Sequence, residues 1–175
     1  MEINWQPDFL ESDIVSLVPM DATDFEAVYV VASDPLIWEQ HPANDRYKRE
    51  VFQKFFDDAI NGNSSFKIID KISGQIIGST RYYDFDADKK QIAIGYTFLA
   101  KEFWGGTYNQ SVKKLLIDYA FQFVDAIVFH IAPMNFRSQQ GTMKTGAKKV
   151  REITKNGNPS FEYAIQKTDW KNLDQ

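Results

Sequence analysis

Between residues 91 and 132 the chain reads as strand, helix and strand in immediate succession, and no other stretch constrains the fold as strongly. Gln91–Leu99 is the first strand, Asn109–Val124 the helix, and Ala126–Ala132 a strongly apolar second strand. Val112, Leu115, Leu116, Tyr119, Ala120 and Phe123 recur at helical spacing on one face of that helix, with Lys113, Lys114, Asp118 and Gln122 elsewhere. A strand–helix–strand unit at the centre of a chain implies a mixed sheet with helices on both faces.

The flanking segments extend that sheet. Ile14–Pro19 reads as an opening strand stopped by proline. Asp21 with Asp24 suits a helix start, and Phe25, Val28, Tyr29 and Ala32 carry the helix toward Asp34-Pro35. A second helix runs from Arg49 to Ile60, with Phe52, Phe55, Phe56 and Ile60 as its apolar face, and Asn61-Gly62-Asn63 ends it. Phe66–Asp70 and Gln75–Tyr83 are strands flanking the hairpin turn Ile72-Ser73-Gly74. Downstream, Asn135–Thr145 is a short helix ended by Gly146, and Lys148–Thr154 and Ser160–Gln166 are strands joined across Asn156-Gly157-Asn158-Pro159. The expectation is a mixed α+β (α/β) fold with one twisted sheet of seven strands and four helices.

Composition bounds the function. With 175 residues, 43% of them hydrophobic, and 14 Phe, 8 Tyr and 4 Trp, the chain can bury one core, so residues 1–175 are expected to form a single domain. No apolar run reaches the roughly 18 residues of a membrane span, and Met1-Glu2-Ile3-Asn4-Trp5 does not open a signal peptide, so a soluble, cytoplasmic protein without a membrane partner is expected. The absence of cysteine excludes disulfides, thiolate metal sites and a cysteine nucleophile. His41 and His130 are the only histidines, too few for a multi-histidine metal site, so no metal is expected. A net charge of −4 argues against nucleic-acid binding. That charge is unevenly spread: residues 1–100 carry 9 basic and 17 acidic side chains, and residues 101–155 carry 9 basic and 4 acidic. Two solvated faces account for this, as do separate places for a cation and an anion.

The turn between Leu99 and Asn109 is the first place to look for chemistry. A glycine-bearing turn at a helix start presents free backbone N–H groups and the positive end of the helix dipole, and Gly105-Gly106 lets an anion approach the backbone. The pattern is neither GxGxxG nor GxxxxGK[ST], which lowers the dinucleotide and ATP readings. Read alone, the two glycines suit a tight turn as well as a ligand.

The longer run adds a resemblance. Gly95-Tyr96-Thr97-Phe98-Leu99, Trp104-Gly105-Gly106, Tyr108-Asn109 and Lys113, together with Asn135-Phe136-Arg137-Ser138-Gln139 and Lys144-Thr145-Gly146-Ala147, resemble the two acyl-CoA motifs of the GNAT N-acetyltransferases, and more narrowly the RimJ/RimL-like branch. Asp34-Pro35-x-Ile37-Trp38 and Ile77-Gly78-Ser79-x-Arg81 also fit that branch. The resemblance implies a GNAT fold that transfers acetyl from acetyl-CoA to a primary amine, a protein N-terminus or a small molecule, by direct attack in a ternary complex. It implies that Phe98 and Leu99 pair through their backbone with pantetheine, and that Trp104, Gly105, Gly106, Thr107, Tyr108 and Asn109 hold the pyrophosphate. Asn135 would contact the cofactor at the reacting centre, and Ser138 would place its hydroxyl near the thioester sulfur. From the residues alone, Asn135 suits a helix N-cap and Ser138 an ordinary first-turn position.

Several positions depart from the family pattern. Thr107 replaces a second glycine, Thr142 stands where many relatives have a catalytic tyrosine, and Ala93 and Ser111 replace acidic residues. The general base is left open among Glu39, Asp84, Glu102 and water, each carboxylate also reading as a surface group. His41 reads as a surface or capping residue and His130 as a satisfied structural one. Lys144, Lys148, Lys149 and Arg151 are either a contact for the CoA 3′-phosphate or a solvated face. The acidity of the first half favours a cationic acceptor. A homodimer is left open. The rival readings are a non-catalytic acyl-CoA-binding module on the same fold, motivated by Ala93, Ser111 and Thr107, and a nucleotide-binding protein using Gly105-Gly106.

Overall fold

In the computed structural model, which describes residues 2–173, the strand–helix–strand unit sits at the centre of an eight-stranded sheet. The strands are β1 (Leu10–Glu11), β2 (Val15–Pro19), β3 (Ser65–Asp70), β4 (Ile76–Asp86), β5 (Gln91–Leu99), β6 (Ala126–Ile131), β7 (Lys148–Lys155) and β8 (Asn158–Gln166). The helices are α1 (Phe25–Ala32), α2 (Arg49–Asn61), α3 (Tyr108–Ala120), α4 (Phe136–Met143) and α5 (Lys167–Leu173), with short 3-10 turns at Ala22–Asp24, Pro35–Trp38 and Lys101–Phe103. The sheet order is β1-β2-β3-β4-β5-β6-β8-β7; every pair is antiparallel except β5 and β6, which the α3 crossover makes parallel.

The count corrects the sequence expectation of seven strands and four helices. The added strand β1 pairs only Leu10 with Leu17 and Glu11 with Ser16, too short to leave an alternation. The added helix α5 follows β8 without a break.

Local chemistry sets the element ends. Asp21 caps its turn by accepting from the Thr23 N–H at 2.8 Å, while the Asp24 carboxylate accepts from the Asp21 N–H at 2.9 Å, which is the reciprocal capping box. In the β3–β4 turn the Asp70 carboxylate accepts from the N–H groups of Ile72 and Ser73, from the Ser73 hydroxyl at 2.7 Å and from the Tyr108 hydroxyl at 3.0 Å. That last bond ties the first residue of α3 to the hairpin beneath it.

Two apolar clusters cover the two faces of the sheet. One places Val112, Leu116, Ile117 and Ala120 of α3 against Leu17, Ile68, Ile77, Ile92, Ile94 and Ile127. The other places Val28 and Ala32 of α1 and Phe52, Phe55 and Phe56 of α2 against Trp38 and Phe98. The buried stripe of α3 is rotated from the one expected: Lys113 and Ile117 are buried, and Phe123, beyond the helix, is 40% exposed. Lys113 is only 5% exposed. Helical periodicity ranks residues by apolarity, whereas here the docking of α3 across β1, β2 and β5 chose the inward face.

Candidate active site

Strands β5 and β6 separate soon after they meet. Only Gln91–Ala93 pair with Ala126–Val128, so from Ile94 to Leu99 the inner edge of β5 has no strand partner. An extra residue in β5 opens the split: opposite β4 the register slips between the Ser79–Phe98 and Arg81–Gly95 pairs, and Tyr96 there adopts φ +53°. The Thr97 hydroxyl is held 2.8 Å from that of Thr80. On the outer edge, β4 comes so close to β5 that a Cβ on Gly78 would lie 1.9 Å from the Phe98 carbonyl oxygen.

A continuous cleft follows the split. Its first chamber, about 150 Å³, is lined by Trp38, Phe98, Leu99, Trp104, Gly105, Asn109, Lys113, Asn135, Arg137 and Ser138. A narrow middle chamber of about 90 Å³ adds Arg46, Tyr96, His130 and Thr142. A far chamber of about 320 Å³ is lined by His41, Arg46, Tyr83, Tyr96, His130, Lys155, Asn156, Asn158 and Ser160. No aspartate or glutamate lines any of the three among the described residues.

At the first chamber the chain offers donors to an anion. None of the N–H groups from Gly105 to Asn109 meets an acceptor among the described residues, and Thr107 gives no side-chain cap. Gly105 holds φ +71°, and a Cβ on Gly105 or Gly106 would meet nothing within 4 Å, so both backbones face open space. Trp104 anchors this loop by donating its Nε1–H to the Leu99 carbonyl at 2.9 Å. The Arg137 guanidinium lies 3.8 Å from the Trp104 ring centroid, and the Arg137 N–H donates to Gln40 Oε1 at 3.1 Å, so loop, α4 and the segment after α1 share one wall.

Asn135 and Ser138 meet at the start of α4. Asn135 is the N-cap, its Oδ1 accepting from the Ser138 N–H at 3.2 Å, and both side chains line the first and middle chambers. One turn further, the Thr142 hydroxyl is buried with no hydrogen-bond partner among the described residues. Lys113 reaches the same chamber from α3, its Nζ 4.9 Å from the Phe129 ring centroid, and burial lowers its ammonium to about 8.

The two histidines and Arg46, which no sequence motif marked, shape the far end. His41 accepts the Ala43 N–H on Nδ1 at 3.0 Å, which leaves Nε2 to carry the proton. Burial, with Arg46 adding repulsion, pushes its pKa down to about 4. The Arg46 guanidinium stacks over Phe55 at 4.6 Å and Trp38 at 5.2 Å, and burial lowers it to about 10. His130 is bonded at both nitrogens, to the Tyr83 hydroxyl and to Glu162 Oε2, each at 2.9 Å; Arg151 donates to the same carboxylate.

The cleft thus gathers every sequence-predicted site residue except Gly106, Thr107 and Tyr108, which lie beside it in the same loop. It does not gather Glu39, Asp84 or Glu102, nor Lys144, Lys148, Lys149 or Arg151. Asp84 pairs with Lys155, and Arg151 with Glu162. Among the described residues, the acidic side chains of the first half do not line the cleft. Trp38 and Arg137 stood inside recognised segments without a role, whereas nothing in the order of residues marked Arg46.

A mixed sheet split at its parallel junction thus lies beside a helix start with unpaired donors. Residues 15–148 match the family profile described as "Acetyltransferase (GNAT) domain". The chain belongs to the GNAT acetyltransferases and is an acyltransferase. Similar solved structures include a GCN5-related N-acetyltransferase from Brucella melitensis (17% identity, TM-score 0.83, covering 97% of this chain and 85% of that one). Mycobacterium smegmatis RimJ in complex with CoA-disulfide is similar at 14% identity and TM-score 0.72, covering 94% and 90%. The aminoglycoside acetyltransferase AAC(6')-Ib in complex with coenzyme A is similar at 18% identity and TM-score 0.75, covering 92% and 99%. Comparison with curated proteins returned no significant match. Among the described residues no group of three or more histidine, aspartate or glutamate side chains is placed to hold a metal, and no helix is long and apolar enough to cross a membrane.

Proposed function

We propose that residues 1–175 form one domain that transfers acetyl from acetyl-CoA to a primary amine by direct attack in a ternary complex, in the manner of the RimJ/RimL-like branch and in the cytoplasm. The observation that carries this reading is the cleft: unpaired N–H donors and an open strand edge at one end, and a separate chamber at the other. Two substrates entering from opposite ends meet beside Ser138.

The chain's residues suit acetyl-CoA. The Gly105–Asn109 N–H row takes a pyrophosphate, and the unpaired edge of β5 at Phe98 and Leu99 takes an amide-bearing arm. Asn135, its Oδ1 used as the cap, keeps its amide N–H groups for the cofactor. The acetyl thioester supplies an activated carbonyl. The acceptor nitrogen forms the new C–N bond, the C–S bond breaks, the amine proton passes to water, and the thiolate leaves as a thiol. Ser138 lies where its hydroxyl donates toward sulfur as charge develops. No carboxylate among the described residues lines the cleft, which supports water as the proton's first acceptor.

Thiol release from acetyl-CoA, followed with a chromogenic disulfide across an amine panel, tests the proposal; the chain has no cysteine to contribute background. Amine-dependent thiol release is expected. Thermal stabilisation by CoA without turnover of any amine would instead identify a non-catalytic acyl-CoA-binding module. Stabilisation by ATP or NAD but not CoA would identify a nucleotide-binding protein.

A further inference from the structure

Arg46 is the one charged side chain shared by the middle and far chambers, and its guanidinium makes no hydrogen bond or ion pair with any described residue. Its surroundings explain how it stays there. Phe55 and Trp38 lie against it at 4.6 and 5.2 Å, and because their own centroids are 6.0 Å apart both rings sit on one side of the cation, packing it by cation–π contact without supplying an acceptor for its N–H groups. A guanidinium packed against aromatic rings inside a cleft, with no acceptor for its donors among the described residues, is prepared for a planar anion.

The rest of the chamber points the same way. Lys155 stands on its rim already matched by Asp84, while Asn156, Asn158 and Ser160 add neutral polar groups. Glu162, behind the wall, is used by His130 and Arg151, and Asp45, whose charge acts on Arg46 from the neighbouring position, neither lines a chamber nor bonds the guanidinium. No aspartate or glutamate among the described residues lines either chamber to compete for Arg46. A polycation entering here would meet Arg46 without a counter-charge, at a cost in affinity.

Resting on the acetyltransferase reading above, we infer that the acceptor is an amine that also bears an anionic group, a carboxylate or a phosphate, held by the Arg46 guanidinium while the amine faces the split.

The test compares matched acceptors in the thiol-release assay: glycine with glycinamide, phosphoethanolamine with ethanolamine, and spermidine as the polycation. At least one anionic member should exceed its neutral partner by tenfold or more in kcat/KM, and which pair does so tells carboxylate from phosphate. Arg46→Gln should bring that ratio close to one, chiefly through KM of the anionic member, and Arg46→Lys should restore part of it. Equal or better turnover of the neutral amines or spermidine by the wild-type protein overturns the inference and leaves the acetyltransferase reading standing. Absence of turnover with every amine overturns that reading instead; calorimetric titration of the same pairs into the protein–CoA complex then decides the anion preference. A ratio unchanged in a folded Arg46→Gln protein also overturns the inference.

Discussion

Lys113 is a buried amine on the cleft wall with no carboxylate beside it among the described residues, and replacing it should make the protein more stable. Its Nζ approaches the Phe129 ring, and no ion pair or hydrogen bond to it is present among the described residues. Burial lowers the ammonium from its ordinary 10.5 to about 8. At about 1.4 kcal/mol per pH unit, that fall sets a ceiling of about 3 kcal/mol on what the charge costs the folded state below pH 8. Between those values the unfolded chain binds more protons than the folded one, so wild-type stability rises with pH across the window. Methionine has similar length and a favourable sulfur contact with an aromatic ring. Lys113→Met should therefore gain up to about 3 kcal/mol near pH 7, and the gain should shrink toward zero as pH approaches 10.5. Urea unfolding of both proteins, followed by tryptophan fluorescence near pH 7 and near pH 10, measures the difference while cancelling the titration of other groups. A variant less stable than the wild type near pH 7, or an advantage equal at both pH values, would show that the ammonium is paired and would refute the argument.

Ser138→Ala should lower turnover at least tenfold with CoA affinity unchanged, about 1.4 kcal/mol of transition-state stabilisation, in steady-state kinetics beside CoA titration. Gly106→Ala should change stability by less than about 0.5 kcal/mol, because its Cβ meets nothing within 4 Å, yet weaken CoA binding about tenfold by blocking the N–H row. Gly78→Ala, whose Cβ would sit 1.9 Å from the Phe98 carbonyl oxygen, should cost about 1–3 kcal/mol by thermal unfolding as β4 is pushed from β5. With the His41 pKa down at about 4, the unfolded chain binds its proton first as pH falls from 6.5. Wild-type stability should thus drop across that interval, and His41→Asn should flatten the drop in urea unfolding near pH 7 and pH 5.

The central unit was legible because its signals are local. The Gln91–Leu99 strand, the glycine turn and the helix after it lie within about thirty residues, and backbone propensity, capping and periodicity all act over that range. The motif segments placed Asn135 and Ser138 for the same reason, each belonging to one short turn at a helix start. Strand β1 escaped because two residues carry no period, and the inward turn of Lys113 because apolar ranking sets a lysine outside by default.

By itself the sequence determined the order of the central elements, the family, the absence of thiol chemistry and the glycine loop at the start of α3, whose N–H groups the structure leaves without acceptors among the described residues. Only the tertiary structure decided that β5 and β6 part after three residue pairs, that Arg46 from the loop before α2 enters the same cleft as Ser138 from α4, and that the acidic side chains of the first half stay out of it. The physical reason is range. Hydrogen-bonded turns and helix starts are settled between neighbours, whereas the charge lining a cleft is settled by which distant side chains packing leaves without a partner.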